Sequence, residues 1–257
     1  IRIVQISDFH AADFGENEQY LIDAVRNARP DIIALTGDFF DRRVPEKHEY
    51  GNVDMLLSAV SSLSPCYFVT GNHEYADKNT AARFAMFEKY GIKILHDEAV
   101  SVHLQAGTLV VAGADDPFSD LTMKEVIQDK DYPERYLPRI AAAAQKAELL
   151  AQQCTLSAPG IPVYTVLLVH RPEYIDEYLK YDFDLVLSGH THGGQVRVFG
   201  VAPVLNSHYG NRFLTGLAYN TAKIPLIITN GIGTSQLPIR IGAPAEVVMI
   251  TLHRLAE

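Results

Sequence analysis

Five short apolar runs in this chain each lead at once into a side chain able to hold a cation, and that regularity constrains the fold more than any other feature. IVQIS runs into Asp8 and His10, IIALTG into Asp38, YFVTG into Asn72 and His73, VYTVLLV into His170, and DLVLSG into His190 and His192. In open α/β sheets the crevice beyond the carboxyl ends of the strands is where ligands bind, so residues far apart in sequence become neighbours there. Singly, each residue has a simpler reading. Asp8 and Asp38 suit turns, Asn72 after Gly71 suits a positive-φ turn, and His170 suits a hydrogen-bonded core position. The pair in GHTH suits a polar turn with two solvated rings. Taken together, so many polar groups at strand ends are costly to bury without a cation. A metal centre is the reading that accounts for all of them.

The text between these runs is helical. NEQYLIDAVRNA, VDMLLSAVSSL and NTAARFAMFEKYG place apolar residues three and four apart, as at Leu56, Leu57, Val60 and Leu63. Short apolar strands alternating with amphipathic helices predict βαβ units on a sheet buried on both faces. From residue 92 the pattern shifts to short strands, with QAGT at 105–108 as a hairpin turn between VSVHL and LVVAGA. A second sheet or an antiparallel edge is expected there. Residues 119–153 read as helix, ending in the alanine-rich IAAAAQKAELLAQQ. Strands return with VYTVLLV, FDLVLSG, QVRVFG, IPLIITNG and AEVVMITL, and 201–219 is a loop-rich stretch between them. That stretch reads as a loop packed on its own domain, or alternatively as a lipid-facing or substrate-covering one. With no repeat and no linker, residues 1–257 are expected to form a single domain.

Composition narrows the partners. The net charge is −9 and no run of Lys or Arg exceeds two, so stable nucleic-acid binding is not expected, while a small phosphorylated substrate is compatible. The two cysteines, Cys66 and Cys154, form no C-x-x-C and read as structural thiols. No apolar run approaches the length of a membrane span. The chain starts at Ile1 and enters a strand at once, which suggests that a preceding segment, a signal or anchor among the options, is missing. The expected location is cytoplasmic or, with such a segment, exported or membrane-associated in a bacterium.

D-x-H at 8–10, GDFFDR at 37–42, GNHE at 71–74, His170 and GHTH at 189–192 together resemble the signature of the calcineurin-like metallophosphoesterase superfamily. The match in order and placement runs from residue 8 to residue 192. The resemblance implies an α/β fold, a four-layer α/β/β/α sandwich of two mixed sheets with a dinuclear metal centre at the strand carboxyl ends. It implies one metal held by Asp8, His10 and His192, a second by Asn72, His170 and His190, and Asp38 bridging both. Carboxylates and imidazoles suit divalent Mn, Fe, Zn, Ni or Co. On strand alternation alone His190 and His192 face one point; the resemblance instead aims them at two metals.

The implied activity is hydrolysis of phosphomono- or phosphodiesters by a metal-bound hydroxide, with His73 assisting the leaving group. Asp41 would orient His73 and Arg42 would contact phosphate, as in related protein phosphatases, although Arg43 stands where those carry glycine. Asp41 also occupies the place of the metal-binding tyrosine of purple acid phosphatases, so no tyrosinate colour is expected. Glu74 is expected to pair locally, and Asp115 and Asp116 either approach the mouth of the site or form a turn before Pro117. Arg240 either neutralises a substrate phosphate or pairs on the surface. GHTHGGQ with GIGTSQLPIRIGAPAE resembles a bacterial branch of small metallophosphoesterases, some of them exported or membrane-associated and some acting on lipid-linked substrates. The alternatives are a non-catalytic binding or scaffold protein on the same fold, against which the complete ligand set counts, and a nuclease, which the acidic balance does not favour.

Overall fold

In β1 (Arg2–Ile6) the side chains alternate between two different cores, and this alternation builds the molecule. Val4 and Ile6 pack with the helices, whereas Ile3 packs against a second sheet. The same period of two runs through β2 (Ile32–Thr36), where Ile33 and Leu35 face helices while Ile32 and Ala34 face the other sheet. A computed structural model describes residues 1–41, 50–75, 80–120, 132–197, 214–219, 224–235 and 237–253.

The first sheet adds β3 (Cys66–Val69), β4 (Lys93–Ile94) and β11 (Val248–Thr251) in the order β11-β1-β2-β3-β4, parallel except for β11. Its outer face is covered by α1 (Gln19–Ala28), α2 (Gly51–Leu63) and α3 (Thr80–Lys89). On α2 the buried residues are Val53, Leu56, Leu57 and Val60, one stripe of a 3.6-residue period.

The second sheet contains β5 (Glu98–Leu104), β6 (Gly107–Gly113), β7 (Val163–Leu168), β8 (Leu185–Ser188), β9 (Gly216–Tyr219) and β10 (Pro225–Ile228). Their order is β5-β6-β7-β8-β10-β9, with antiparallel pairs at both edges. Leu109, Val111, Val166, Leu168 and Leu187 point inward to the first sheet, and Val110, Ala112, Leu167 and Val186 point outward. The outward face is covered by α4 (Tyr132–Ser157), through Tyr136, Ile140, Ala143, Ala144 and Ala147, and by the short α5 (Ile175–Tyr178). Three successive apolar cores thus separate four layers, α/β/β/α, as expected from the resemblance.

Two local expectations change. GLAY, read as part of a loop-rich stretch, is the edge strand β9, paired with β10. QVRVFG is not a strand where it is described: Val196 makes only an isolated bridge to Ile241. The cause is Gln195, a buried residue with φ 53° whose amide donates to the carbonyls of Leu237 and Ile239 and accepts from Ser235 N–H at 3.0 Å. Those bonds turn the chain onto the 235–241 segment before a strand can start. Residues 198–213 lie outside the described residues.

Candidate metal centre

β1, β2 and β3 of one sheet and β7 and β8 of the other end at the same edge, so their following residues meet between the sheets. Gln5 of β1 ties the two sheets directly, its amide donating to Ser188 O at 2.9 Å and to Thr36 Oγ1 at 3.0 Å. Beyond that tie, Asp8, His10, Asp38, Asn72, His73, His170 and His192 are all buried, and His190 is half-buried.

Two groups of ligand-type atoms form. Asp8, His10 and His192 converge, with His10 Nε2 3.0 Å from His192 Nε2 and His192 Nε2 3.3 Å from Asp8 Oδ1. Asp38, His170 and His190 converge, with His170 Nε2 3.2 Å from both Asp38 Oδ2 and His190 Nδ1. Asp38 lies between them, since Oδ2 is also 3.7 Å from His10 Nε2. Asn72 Oδ1 is buried and has no hydrogen-bond partner, which is costly unless a cation meets it. His73 forms a further group with His10 and Asp38. Its ring stands edge-on to that of His10 at a centroid distance of 4.5 Å.

The backbone bends sharply to bring these atoms together. Asp8, His10, Asp38, His190 and His192 all have left-handed φ, between 49° and 72°, a region that non-glycine residues adopt at a cost. β8 stops at Ser188, so it is this left-handed path, and not strand alternation, that sends the His190 ring to His170 and the His192 ring to His10 and Asp8. Gly189, just before His190, has no room for a side chain: a Cβ would collide with Ser7 Oγ and Asp8 Oδ2.

Buried partners hold the loops. The Glu74 carboxylate accepts from the N–H groups of Gly71 at 2.6 Å, Asp38 at 3.0 Å and Phe39 at 2.8 Å. Local pairing was expected of Glu74; the pairing joins the Asp38 and Asn72 loops to each other. His170 Nδ1 faces Thr36 O at 2.7 Å, and a carbonyl only accepts, so this nitrogen carries the proton and a neutral ring turns its Nε2 lone pair inward. Arg83, a residue of α3 that sequence reasoning missed, donates to His73 O at 2.8 Å from a buried position. Its only sequence signal is a charge at a core-facing helical position. Arg240 is half-buried beside His192. It donates to the carbonyls of Gly233, Asn230 and Ala243 and lies 3.3 Å from His192 Nδ1.

The electrostatics follow from burial in close quarters. Burial, offset by His170 and augmented by Asp38, raises the Asp8 carboxyl to about 6. Burial would also raise Asp38, but its histidine neighbours, His170 foremost, draw it well below the ordinary carboxylate value. For His170 burial opposes the charge, yet Asp38 and Asp8 push it up to about 10. Burial and neighbouring cations, Arg171 or His10 first, hold His190 and His192 neutral. Without a cation, negative charge thus collects on Asp38 and a compensating proton on His170.

Buried oxygen and imidazole donors without thiolate suit divalent first-row cations. A sequence profile described as calcineurin-like phosphoesterase matches residues 1–194. The chain belongs to this family. YkuE of Bacillus subtilis (strain 168), an uncharacterized metallophosphoesterase, is 26% identical over 255 residues, spanning 98% of this chain and 78% of its own. An uncharacterized metallophosphoesterase of Aquifex aeolicus (strain VF5) is 30% identical over 258 residues, spanning 98% of this chain and 85% of its own. The transmembrane protein with metallophosphoesterase domain of Danio rerio is 27% identical over 261 residues, spanning 99% of this chain and 53% of its own. This calcineurin-like phosphoesterase is a metal-dependent phosphoric ester hydrolase, and its His/Asp clusters are compatible with a dinuclear divalent centre. The family implies small phosphoester substrates.

Among the accessory residues, Asp41 lies beside His73, its Oδ1 3.6 Å from Nδ1. Arg42 lies outside the described residues. Asp115 and Asp116 are buried in hydrogen-bond networks, with Thr70 and His96 around Asp115 and Arg171 on Asp116. Among the described residues no helix is long and apolar enough to cross a membrane.

Proposed function

We propose that this enzyme hydrolyses phosphomono- or phosphodiesters at two divalent cations, one held by Asp8, His10 and His192 and the other by Asn72, His170 and His190, with Asp38 shared. The observation that carries this reading is two sets of imidazole nitrogens around one carboxylate, together with a partnerless buried Asn72 Oδ1 in the loop that His73 N–H ties to Asp38. When bound, two such cations polarise the phosphate, lower the pKa of a bound water from about 16 towards 7, and stabilise in-line displacement.

The protein's own groups do the rest. Asp38, which lies between the two groups of imidazoles, would offset the charge of a cation in either half. Glu74 fixes the Asp38 amide while His73 N–H donates to Asp38 Oδ1 at 2.8 Å, so the shared carboxylate has one orientation. Asp41 faces Nδ1 of His73 and thereby turns Nε2 towards the leaving oxygen, where it delivers a proton or steadies the negative charge. The proximity of His73 to His10 and Asp38 fits a position beside the reacting phosphate. Arg42, by its place in the motif, contributes to phosphate binding.

We take residues 1–257 as one catalytic domain, with lipid-linked phosphoesters among its candidate substrates. Membrane association through a further segment is a reading supported by the name of the Danio rerio relative.

The test measures metal content together with hydrolysis of an aryl phosphomonoester and a bis-aryl phosphodiester, with and without chelator, on native protein and Asp38→Asn. Near two cations per chain, chelator-sensitive hydrolysis and loss of both properties in the variant are expected. Native protein that takes up no metal, or that hydrolyses neither ester under any divalent cation, sinks the proposal.

A further inference from the structure

Asn72 stands in a loop of the first sheet, whereas His170 and His190 follow strands of the second, and one buried carboxylate ties the two sides together. Asp115 follows β6 in the second sheet and is 3% exposed. Its Oδ1 accepts from Thr70 Oγ1 at 2.8 Å and its Oδ2 from Tyr75 OH at 3.2 Å. Thr70 directly precedes the loop 71–74 and Tyr75 directly follows it. Both ends of the loop that carries Asn72 and His73 are therefore fastened to a single side chain of the opposite sheet. The Thr70 oxygen also accepts from Asp116 N–H at 3.0 Å, which leaves its own proton for Asp115.

A carboxylate this deep keeps its charge only with donors around it. His96, in the link between β4 and β5, supplies a third, its Nδ1 lying 2.7 Å from Asp115 Oδ2; a carboxylate oxygen accepts, so that nitrogen carries the proton. The backbone of Asp115 is fixed as well. Its N–H donates to Asp97 Oδ1 at 3.0 Å, and Asp97 Oδ2 accepts from Arg139 Nη1 of α4 at 2.7 Å. Ala114 N–H donates to Leu168 O at 3.3 Å, which seats Asp115 beside the end of β7, the strand that leads into His170. The carboxylate thus belongs to the same edge as the two histidines, and its hydroxyl partners belong to the loop that faces them.

We propose that Asp115 is a positioning residue that holds the Asn72 loop of the first sheet in register with His170 and His190 of the second, and so sets the affinity of the cation these three would share. The proposal rests on the dinuclear reading above. The other half has its own tie across the sheets, Gln5 of β1 donating to Ser188 O at the end of β8 at 2.9 Å.

The experiment titrates metal-free protein with Mn2+ by equilibrium dialysis and follows the electron paramagnetic resonance of the bound ions. Native protein is expected to bind two ions and to give the spectrum of an exchange-coupled pair. Asp115→Asn puts an NH2 group where an oxygen accepts; it is expected to keep one ion at native affinity, to bind the other about 10- to 100-fold more weakly, and to show an uncoupled six-line signal at low loading. T70V/Y75F, which removes both tethers and leaves the carboxylate, is expected to show the same selective loss. Thr70→Ser keeps the hydroxyl and is expected to bind both ions as native protein does. Asn72→Ala weakens the same ion, and adding D115N to it weakens binding no further. Should D115N fail to fold, T70V/Y75F decides. Two ions at native affinity in T70V/Y75F overturn the tether. Equal weakening of both ions there also overturns it, since the network then supports the fold at large. Native protein that binds fewer than two ions overturns the dinuclear reading and this proposal with it.

Discussion

His10 and His192, 182 positions apart, turn their Nε2 atoms to within 3.0 Å of each other, with Asp8 Oδ1 3.3 Å from His192. Two imidazole nitrogens this close share either a proton or a cation. His192→Asn withdraws one of them, so we expect its cation content to fall by one per chain and turnover to drop at least 100-fold. Metal analysis beside steady-state kinetics checks both; an unchanged cation count would remove His192 from the ligand set.

His73 stands against His10 and Asp38, a placement that fits either a ligand or a proton donor. We expect His73→Asn to keep both cations while losing about 10²- to 10⁴-fold in turnover. An aryl ester with a good leaving group, which needs little protonation, should lose less than a poor one. Loss of a cation in this variant would instead make His73 a ligand.

Glu74 gathers the amides of Gly71, Asp38 and Phe39 from two loops onto one fully buried carboxylate. Burial and the neighbouring Asp38 raise its pKa. Glu74→Gln replaces an acceptor oxygen by an NH2 group that faces donors, and leaving such groups unpaired costs about 1–3 kcal/mol. Denaturant unfolding of metal-free protein should show that loss. A midpoint equal to that of native protein would refute it.

Cation binding should tighten as pH rises. In metal-free protein Asp38 and Asp8 overcome the burial of His170 and push it up to about 10, so near neutrality the ring holds a proton that a cation must displace. Between about 6, below which Asp8 also holds a proton, and that value, each unit of pH should strengthen binding about tenfold for the one proton released. Isothermal titration in buffers of different ionisation enthalpy measures the proton directly; binding without proton release near pH 7 would contradict the assignment.

The helix-covered parallel sheet was legible because its strands are short apolar runs and each covering helix carries one apolar stripe, as on α2 at Val53, Leu56, Leu57 and Val60, whereas a second sheet stayed open against an antiparallel edge and the four layers were implied by the family resemblance. The gathering of Asp8, Asp38, Asn72, His170 and His190 was legible for a related reason, since each follows a strand directly and parallel strands bring their ends to one edge. GLAY and QVRVFG were misread because strand propensity does not say which partner is available. β10 offers an edge to the first, whereas the hydrogen bonds of Gln195 turn the second aside.

The sequence by itself thus determined the alternation of buried strands with amphipathic helices and which side chains would crowd one edge, because apolar periodicity and strand ends are local properties. Only the tertiary structure decided how those side chains divide. The left-handed turns at His190 and His192 send neighbouring rings to different partners, and Glu74, Arg83, Asp115 and Arg240 hold the loops through contacts 3 to 48 residues away. Such contacts depend on distance and angle between separate elements, which no local pattern of residues encodes.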